Sequence, residues 1–376
     1  MKKSVYFILL IAALIFTTAC NGEEVDVEEN LEPEEEVQEQ LEEDSIEEEP
    51  IEEPEVINPK EETMRIIEDL KDKGYKQSKL DGVYIKEELY NLRPITVMYD
   101  NHPYARWQAG LVLADIVYEC EVEFPFTRYM AVFQDEDVEH IGPVRSARPY
   151  YLRYALEYDS VYVHVGGSND AMAKIQDYYM ADVDGLSSGN FWRYYDTGKS
   201  IPNNMYTDME NLREAQNFYG YRSNGEFVGY KFNDLIETID ENLEPENCTE
   251  INIVFNQHYE IDFIYNKENA SYKRFVNGEK HVDEYYDDEI EVVNIIVLKT
   301  TKTVLDDVGR LSINTVGEGT GTYISRGLKT DITWEKNDYK SKTYFYYENG
   351  QEIVLNPGQT WIEVTTQNTS INYKEE

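Results

Sequence analysis

The sequence predicts an α+β protein, with a mixed α/β domain at residues 63–244 followed by a β-rich domain at residues 245–376. Three observations support this prediction. Apolar residues recur at both helical and strand spacing before residue 244. Strand-like runs dominate after about residue 248, and two Asn-Gly pairs, at 277–278 and 349–350, lie between such runs as hairpin turns do. A chain of 376 residues is long enough for two domains.

In the first domain, apolar spacing predicts a helix from about residue 64 that ends at Gly74. Further helices are predicted at about 147–158, 169–179 and 208–219, and strands at 95–99, 114–124, 127–133 and 161–165. The run 114–124 alternates most clearly, because its even-numbered side chains are apolar while acids occupy most odd-numbered positions. This half of the chain therefore mixes helices and strands.

The second domain is predicted from strand-like runs at residues 251–255, 261–265, 271–276, 292–298, 343–347, 352–355 and 361–365. The polar segment 242–247 is the predicted boundary. The run GEGTG at 317–321 looks like a phosphate loop, but it lacks both the dinucleotide-binding spacing and the Walker lysine. A turn or a bulge is the favoured interpretation of these glycines.

Residues 1–20 have the pattern of an export signal. Lys2 and Lys3 precede an apolar stretch at 5–16, which is too short for a membrane span, and small residues lead to Cys20. This pattern resembles a bacterial lipoprotein signal, in which Cys20 carries the lipid and anchors the protein to the extracytoplasmic face of the cell membrane. An ordinary secretory signal is the alternative.

The charge of the chain is strongly negative and unevenly distributed. The formal net charge is −41, which argues against nucleic acid as a partner. Residues 21–62 contain 21 of the 75 acidic residues, one lysine and four prolines, so they are predicted to be a disordered tether. The tether is either a spacer that holds the folded part away from the membrane or a simple solvating linker.

Two further cysteines, Cys120 and Cys248, are far apart in the chain. Two unrelated buried thiols are favoured over a disulfide. No Cys/His set has the spacing of a structural zinc site, so no metal is predicted there.

The most promising binding motif is the run GPVRSAR at 142–148, which predicts a turn that leads into a helix. Pro149 suits an early helical position, and Ser146 would cap a helix that starts at 147. Arg145 and Arg148, beside free backbone N–H groups, favour an anion site, to which we add Arg128 from a neighbouring predicted strand. Salt bridges to the acidic face of the strand at 114–124 are the alternative.

A second motif, HVGGSND at 164–170, predicts a strand that ends in a glycine turn before a capped helix. Backbone donors at such a turn are able to face a ligand, so His164 and Asn169 are candidate binding residues. A buried structural histidine and a plain turn are the alternatives.

Three acids are candidates for acid/base or metal chemistry: Asp100, Asp115 and Glu119. Acids on one strand face lie about 6.6 Å apart per two residues, which suits a glycosidase-like pair, a divalent cation or a salt-bridged surface. Asp100 begins the run Asp100–Asn101–His102 at the end of a predicted strand, a position that commonly supplies ligands in α/β proteins.

Several runs together resemble one family, the YerB-like lipoproteins of Gram-positive bacteria. The matching runs are RPITVMYDN at 93–101, GL at 110–111, ADIVYE at 114–119, TRY at 127–129, IGPVRSAR at 141–148, HVGGS at 164–168 and GQTWI at 358–362. The resemblance implies a lipid-anchored envelope protein with two domains, and it brings no established activity.

A looser similarity connects Asp115, Arg128, Arg145 and Arg148 with the LytR-CpsA-Psr enzymes, which attach polyprenyl-pyrophosphate-linked glycopolymers to the cell wall. The layout of an Ala-Asp pair, two strands, arginines and a Gly-Gly turn is similar in those enzymes. This similarity is an analogy at the level of the fold.

The leading hypothesis is a lipid-anchored protein of cell-wall metabolism that binds wall polymer or a wall enzyme through the arginine site. The alternative is a phosphotransferase or pyrophosphatase that acts on lipid-linked glycan, with Asp100 or Asp115 holding Mg²⁺ and the arginines stabilising charge. A glycan hydrolase comes third. Only the phosphotransferase or pyrophosphatase alternative calls for Mg²⁺, and otherwise no cofactor is predicted.

Overall fold

The computed structural model describes residues 58–135 and 137–375. The predicted signal, Cys20 and nearly all of the predicted tether lie outside these residues. The described part is rich in strands and contains four α-helices: α1 (Pro59–Asp72), α2 (Pro149–Glu157), α3 (Asn169–Asp177) and α4 (Met209–Phe218). No helix among the described residues combines the length and the apolar character needed to cross a bilayer.

The strands up to the predicted boundary are β1 (Tyr75–Gln77), β2 (Tyr84–Lys86), β3 (Ile95–Asp100), β4 (Ile116–Glu121), β5 (Thr127–Phe133), β6 (Val161–His164), β7 (Asp182–Asp184), β8 (Trp192–Arg193), β9 (Met205–Tyr206) and β10 (Lys231–Phe232). The later strands are β11 (Glu246–Asn247), β12 (Glu250–Asn256), β13 (Tyr259–Asn266), β14 (Ser271–Val276), β15 (Glu279–Lys280), β16 (Glu291–Val292), β17 (Asn294–Lys299), β18 (Lys302–Val304), β19 (Leu311–Ile313), β20 (Gly317–Ser325), β21 (Leu328–Lys336), β22 (Tyr344–Tyr347), β23 (Val354–Leu355), β24 (Thr360–Thr365) and β25 (Ser370–Lys374).

A large mixed sheet organises the described chain from residue 67 onward. Its strand order is β11-β21-β20-β17-β24-β4-β5-β3-β6-β7, and β22 pairs with β21. Strand β24 lies between β17 and β4 and is parallel to both. Strands from both sides of the predicted 244/245 boundary therefore belong to one hydrogen-bonded sheet.

Different elements cover the two faces of the large sheet. Helices α2 and α3 share a buried apolar cluster with even-numbered residues of β3, β4 and β5, such as Met98 and Tyr118. A smaller sheet, β15-β14-β13-β12-β25 with β16, and helix α4 share another cluster with odd-numbered residues such as Val97 and Val117. Because side chains alternate along a strand, both faces of β4 are buried and its acids point toward the smaller sheet.

The predicted helices around residues 147–158, 169–179 and 208–219 are confirmed to within two residues at each end. The first helix begins earlier than predicted, so residues 59–62, assigned to the tether by sequence, form its first turn. The Asn58 side chain accepts a hydrogen bond from the Lys60 amide at 3.0 Å, and two acids follow in the first turn. A side-chain acceptor and acids at a helix start both stabilise it.

The glycines at 317–321 are not a turn or a bulge, as the sequence suggested, but the first half of strand β20. Close packing against neighbouring strands explains why glycine occupies two of these positions. A Cβ atom at Gly319 would lie 2.5 Å from the Trp334 indole nitrogen, and one at Gly321 would lie 2.6 Å from the Val297 carbonyl oxygen. Any larger residue at these two positions would collide with the neighbouring strands.

Cys120 and Cys248 are both free and buried. Burial raises the pKa of the Cys120 thiol well above its usual range and the pKa of Cys248 to about 12. We expect neither thiol to react with Ellman's reagent within minutes at pH 8 in the native protein, because the thiolate is the reactive form. After unfolding in guanidinium chloride, both should titrate without a reductant; fewer thiols than expected would indicate a disulfide.

Candidate anion-binding site

The large sheet positions two charged side chains next to each other at the end of β3. Asp100 is the last residue of β3, and Arg128 of β5 is its register partner. Both side chains point to the sheet face that carries α2, and both are buried. The Asp100 carboxylate accepts a hydrogen bond from the Asn203 side chain at 2.7 Å.

The segment at 141–148 crosses this end of the sheet and brings a second arginine to Asp100. The Arg145 amide donates to the Met98 carbonyl at 2.8 Å, and the Arg145 carbonyl accepts from the Val165 amide at 3.1 Å. These backbone bonds hold Arg145 between β3 and β6. Its Nε lies 3.3 Å from an Asp100 carboxylate oxygen, and its side chain remains 27% exposed.

A third arginine lies at the start of α2. Arg148 is the N-cap residue of that helix, with Pro149 first in the helix, so Ser146 does not take the cap position considered for it. The Arg148 guanidinium binds the Glu123 carboxylate through two hydrogen bonds of 2.8 Å. This bidentate pair is the salt bridge to the acidic strand face that the sequence offered as the alternative role.

The three guanidinium groups therefore share two carboxylates, Asp100 and Glu123. Arg128 donates to the Ser146 carbonyl oxygen at 2.6 Å and is 4.0 Å from Glu123. Burial, together with the positive charges of Arg148 and Arg145, lowers the pKa of Arg128 to about 10. Among the described residues, Arg145 makes the Asp100 ion pair and no hydrogen bond through its side chain, so its guanidinium has donors left for a ligand.

Aromatic side chains lie beside this cluster. The His102 amide donates to Asp100 at 3.1 Å, and the His102 ring lies 4.6 Å from Phe126 and 5.1 Å from Tyr104. Tyr104 is 77% exposed, and Phe124 at the tip of the β4–β5 hairpin is 67% exposed. Exposed rings near hydrogen-bond donors that have no acceptor are suited to hold a ligand that has an apolar face and a charged group.

The HVGGS motif has mainly a structural role, because its histidine is buried and hydrogen-bonded. His164 is fully buried, with Nδ1 2.9 Å from the Gly166 carbonyl and Nε2 3.2 Å from the Asp182 carboxylate. Both ring nitrogens are thus occupied. Asn169 is the exposed first residue of α3, and Ser168 caps that helix by accepting from the Ala171 amide at 3.2 Å.

The structure does not bring the other two predicted acids to the arginines. Asp115 precedes β4 by one residue, whereas Arg128 pairs with Cys120, so the two are about 16 Å apart along the sheet at ~3.3 Å per residue. Glu119 points to the opposite sheet face. Within residues 58–135 and 137–375, no group of three or more His, Cys, Asp or Glu side chains is arranged to hold a metal ion.

Glu119 instead belongs to a fully buried polar centre between the two sheets. Its carboxylate accepts from Arg274 of β14 at 2.5 Å and from the Tyr259 hydroxyl at 2.6 Å. The Arg274 guanidinium also lies 4.4 Å from the Trp361 ring centre and 2.8 Å from His281 Nδ1. This arrangement supplies charge, hydrogen-bond and cation–π partners for an arginine that is completely removed from water.

A second acid, Glu363 of β24, is the register partner of Glu119 and is also fully buried. No cation pairs with its carboxyl group among the described residues, and the Glu119 carboxyl group lies within hydrogen-bonding reach of it. Burial first, and the negative charge of Glu119 second, raise the pKa of Glu363 well above its usual range. The centre therefore holds two carboxyl groups and one guanidinium, and the raised pKa of Glu363 favours its protonated form.

Both halves of the chain match one protein family. Residues 80–222 match the N-terminal domain, and residues 251–362 the C-terminal domain, of a family described as "Protein of unknown function (DUF3048)". The Bacillus subtilis (strain 168) protein named "Putative lipoprotein YerB" is 27% identical over 290 residues, which are 76% of this chain and 85% of that protein. The chain belongs to the YerB-like DUF3048 family.

The fold is shared with a solved member of the YerB-like family. The crystal structure of the YerB protein from Bacillus subtilis matches with a TM-score of 0.70 and 27% identity, over 79% of this chain and 99% of that one. In the present YerB-like chain, the three clustered arginines lie in the first matched range, while Arg274 lies in the second. The Glu119–Arg274 ion pair thus joins the two family domains.

Sequence reasoning missed several residues of these two sites. Arg274 carried no local signal, because its carboxylate partner is 155 residues away in the chain. Asn203 follows no recognised motif, whereas His102 belongs to the run Asp100–Asn101–His102 that the sequence already indicated as a candidate. The signal for His102 is its place at the end of a predicted strand, where ligands are commonly supplied.

Proposed function

We propose that the protein is a lipid-anchored, outward-facing lipoprotein of the cell envelope that binds an anionic wall polymer through Arg145. The export and lipidation pattern at residues 1–20 and the name of the Bacillus subtilis relative support the anchoring. The family descriptions name no activity. The binding part of the proposal therefore rests on the geometry around Arg145.

The arginine cluster carries the proposal. Arg148 is neutralised by Glu123 and Arg128 is buried, so Arg145 is the guanidinium that remains 27% exposed. A phosphate or carboxylate that approaches Arg145 also reduces the repulsion among the three positive charges. The anionic group of a wall polymer has this chemistry, and it would be bound by the planar, two-pronged guanidinium.

The exposed rings give the same surface a second means of contact. Tyr104 offers an apolar face beside His102, and Phe124 offers another at the tip of the β4–β5 hairpin, next in sequence to Glu123. Such faces pack against the C–H groups of a sugar ring. A polymer that alternates sugar rings with anionic groups would therefore contact both the rings and Arg145.

The proposal is compatible with the strongly negative net charge of −41 only if binding is local. A broad polyanion-binding face would need a basic surface, which this protein does not supply through its composition. A single exposed guanidinium beside aromatic rings needs no such surface. We therefore expect moderate affinity that is gained through repeated contacts along a polymer.

We expect the purified protein to co-sediment with Gram-positive cell-wall sacculi that retain their phosphate-containing polymers. Arg145→Gln should reduce the bound fraction about tenfold or more, because hydrogen bonds to charged groups contribute ~1.5–3 kcal/mol each. Phe124→Ala should reduce it less. Quantification of the supernatant and pellet by immunoblot over a range of sacculus concentrations provides the measurement.

Arg222→Gln is the matched control, because Arg222 is an exposed arginine whose carboxylate partner is Asp159, away from the cluster. Its binding curve should overlay that of the wild type. Equal binding of wild type and Arg145→Gln would refute the role of Arg145. Equal binding to sacculi that have been stripped of their anionic polymers would refute the polymer.

A further inference from the structure

A second candidate site lies on a different part of the molecule, in a cleft of about 580 Å³ between the β1–β2 hairpin and β10. Its lining is basic and aromatic, which is unexpected in a protein of net charge −41. The lysines are Lys71, Lys76, Lys79 and Lys231, the aromatic residues are Tyr75, Tyr84, Tyr90, Tyr230 and Phe232, and Asp234 is the single acid in the lining.

Three of the four lysines are matched by acids. Lys71 pairs with Asp234 at 3.1 Å, Lys76 with Glu87 at 2.6 Å and Lys231 with Glu352 at 2.7 Å. Lys79 forms no salt bridge among the described residues, and its ammonium donates to the neutral side chain of Asn91 at 3.0 Å. The cleft therefore contains one positive charge for which the protein supplies no carboxylate.

The surroundings of Lys79 favour an anion at that place. The ammonium groups of Lys76 and Lys79 lie 5.2 Å and 4.4 Å from the centre of the same Tyr90 ring. Burial, followed by repulsion from Lys76, lowers the pKa of Lys79. An anion between the two ammonium groups removes that repulsion and satisfies the unused donors of both lysines.

The tyrosines of the lining indicate what the rest of the ligand is, apart from its anionic group. Tyr75 and Tyr90 both line the cleft, and a tyrosine hydroxyl group is able to donate a hydrogen bond to a ligand. Tyrosine rings pack on the faces of sugars and bases. A cleft of this size holds a ligand of one or two rings.

We propose that this cleft binds a small phosphorylated ligand, with its phosphate between Lys76 and Lys79 and its ring against the tyrosines. Lysine ammonium groups suit a phosphate, whose charge is spread over several oxygens and needs no planar partner. The inference is independent of the polymer-binding function proposed for Arg145, because the two sites share no residue.

The test is isothermal titration calorimetry of the intact protein with four probes: inorganic phosphate, glucose 1-phosphate, uridine monophosphate and glucose. We expect one site per chain for at least one phosphorylated ring, weaker binding of inorganic phosphate and no binding of glucose. The comparison between the sugar phosphate and the nucleotide identifies which ring the tyrosines accept. Binding of glucose as tight as that of glucose 1-phosphate would overturn the role of phosphate.

Lys79→Gln should weaken binding of the preferred probe at least tenfold, and Lys76→Gln should weaken it as a second, independent variant. Both side chains are partly exposed, so both variants should keep the wild-type melting temperature. Lys73→Gln is the matched control, because Lys73 is an exposed lysine that pairs with Asp69 and does not line the cleft.

Three results would overturn the inference. The first is that no phosphorylated probe binds the wild type. The second is that Lys79→Gln binds the probe as the wild type does. The third is that binding disappears in Arg145→Gln and persists in Lys79→Gln. The last result would place the ligand at the arginine cluster.

Discussion

Arg274→Met is expected to lower the free energy of unfolding by about 3–5 kcal/mol. The substitution keeps a long apolar side chain in contact with Trp361, but it removes the charge that faces Glu119. Glu119 would then be a buried carboxylate without a cation, which either stays charged at high cost or takes up a proton. Urea denaturation at pH 7, followed by tryptophan fluorescence, measures the difference.

Arg222→Met is the matched control, since it makes the same change at an ion pair whose arginine is about half exposed. That pair should contribute at most about 1 kcal/mol. Adding Glu119→Gln to Arg274→Met removes the stranded charge, so the double variant should recover part of the loss. A cost for Arg274→Met no larger than that for Arg222→Met would show that the buried pair contributes little.

Glu363→Gln is expected to make the protein more stable than the wild type at neutral pH, and the advantage should increase with pH. The folded state holds Glu363 as a neutral acid because burial and the charge of Glu119 raise its pKa. The unfolded chain releases that proton near pH 4.3. Wild-type stability therefore falls as the pH rises above this value, until the folded-state pKa is reached.

The slope of that loss is up to about 1.4 kcal/mol per pH unit for one proton. Glutamine resembles the protonated acid in shape and cannot ionise, so the stability of the variant does not fall with pH for this reason. Unfolding free energies of both proteins between pH 4 and 9 give the difference curve. Glu260→Gln, the same change at an exposed strand position, should follow the wild type throughout. A flat difference curve for Glu363→Gln would mean that Glu363 is ionised in the folded protein.

Local patterns predicted the four α-helices and the strands β3 to β6. The run 127–133 is strand β5, and Asn277–Gly278 forms a two-residue hairpin turn with φ values of 50° and 79° between paired residues Val276 and Glu279. Both signals come from neighbouring residues, which is why a single sequence reveals them. The hairpin of β20 and β21 was missed, because glycines selected for close packing have no strand propensity.

The order of the strands in the large sheet could not be predicted in this way, because no local sequence pattern indicates which distant strands pair. Strand β24 pairs with β4, although the two are more than 200 residues apart in the chain. The same limit applies to the sites. The GPVRSAR motif did indicate a group of arginines, and the structure brings Arg128, Arg145 and Arg148 together. The partners that decide their chemistry, such as Asn203 for Asp100, come from distant loops.

The central place of β24 has a consequence for the order in which the chain can fold. Until residues 360–365 are available, β4 and β17 have unpaired edges in the middle of the sheet, and the halves on either side cannot join. The large sheet therefore closes only once β24 has inserted between β17 and β4, so its completion depends on a strand that is distant in sequence from both partners.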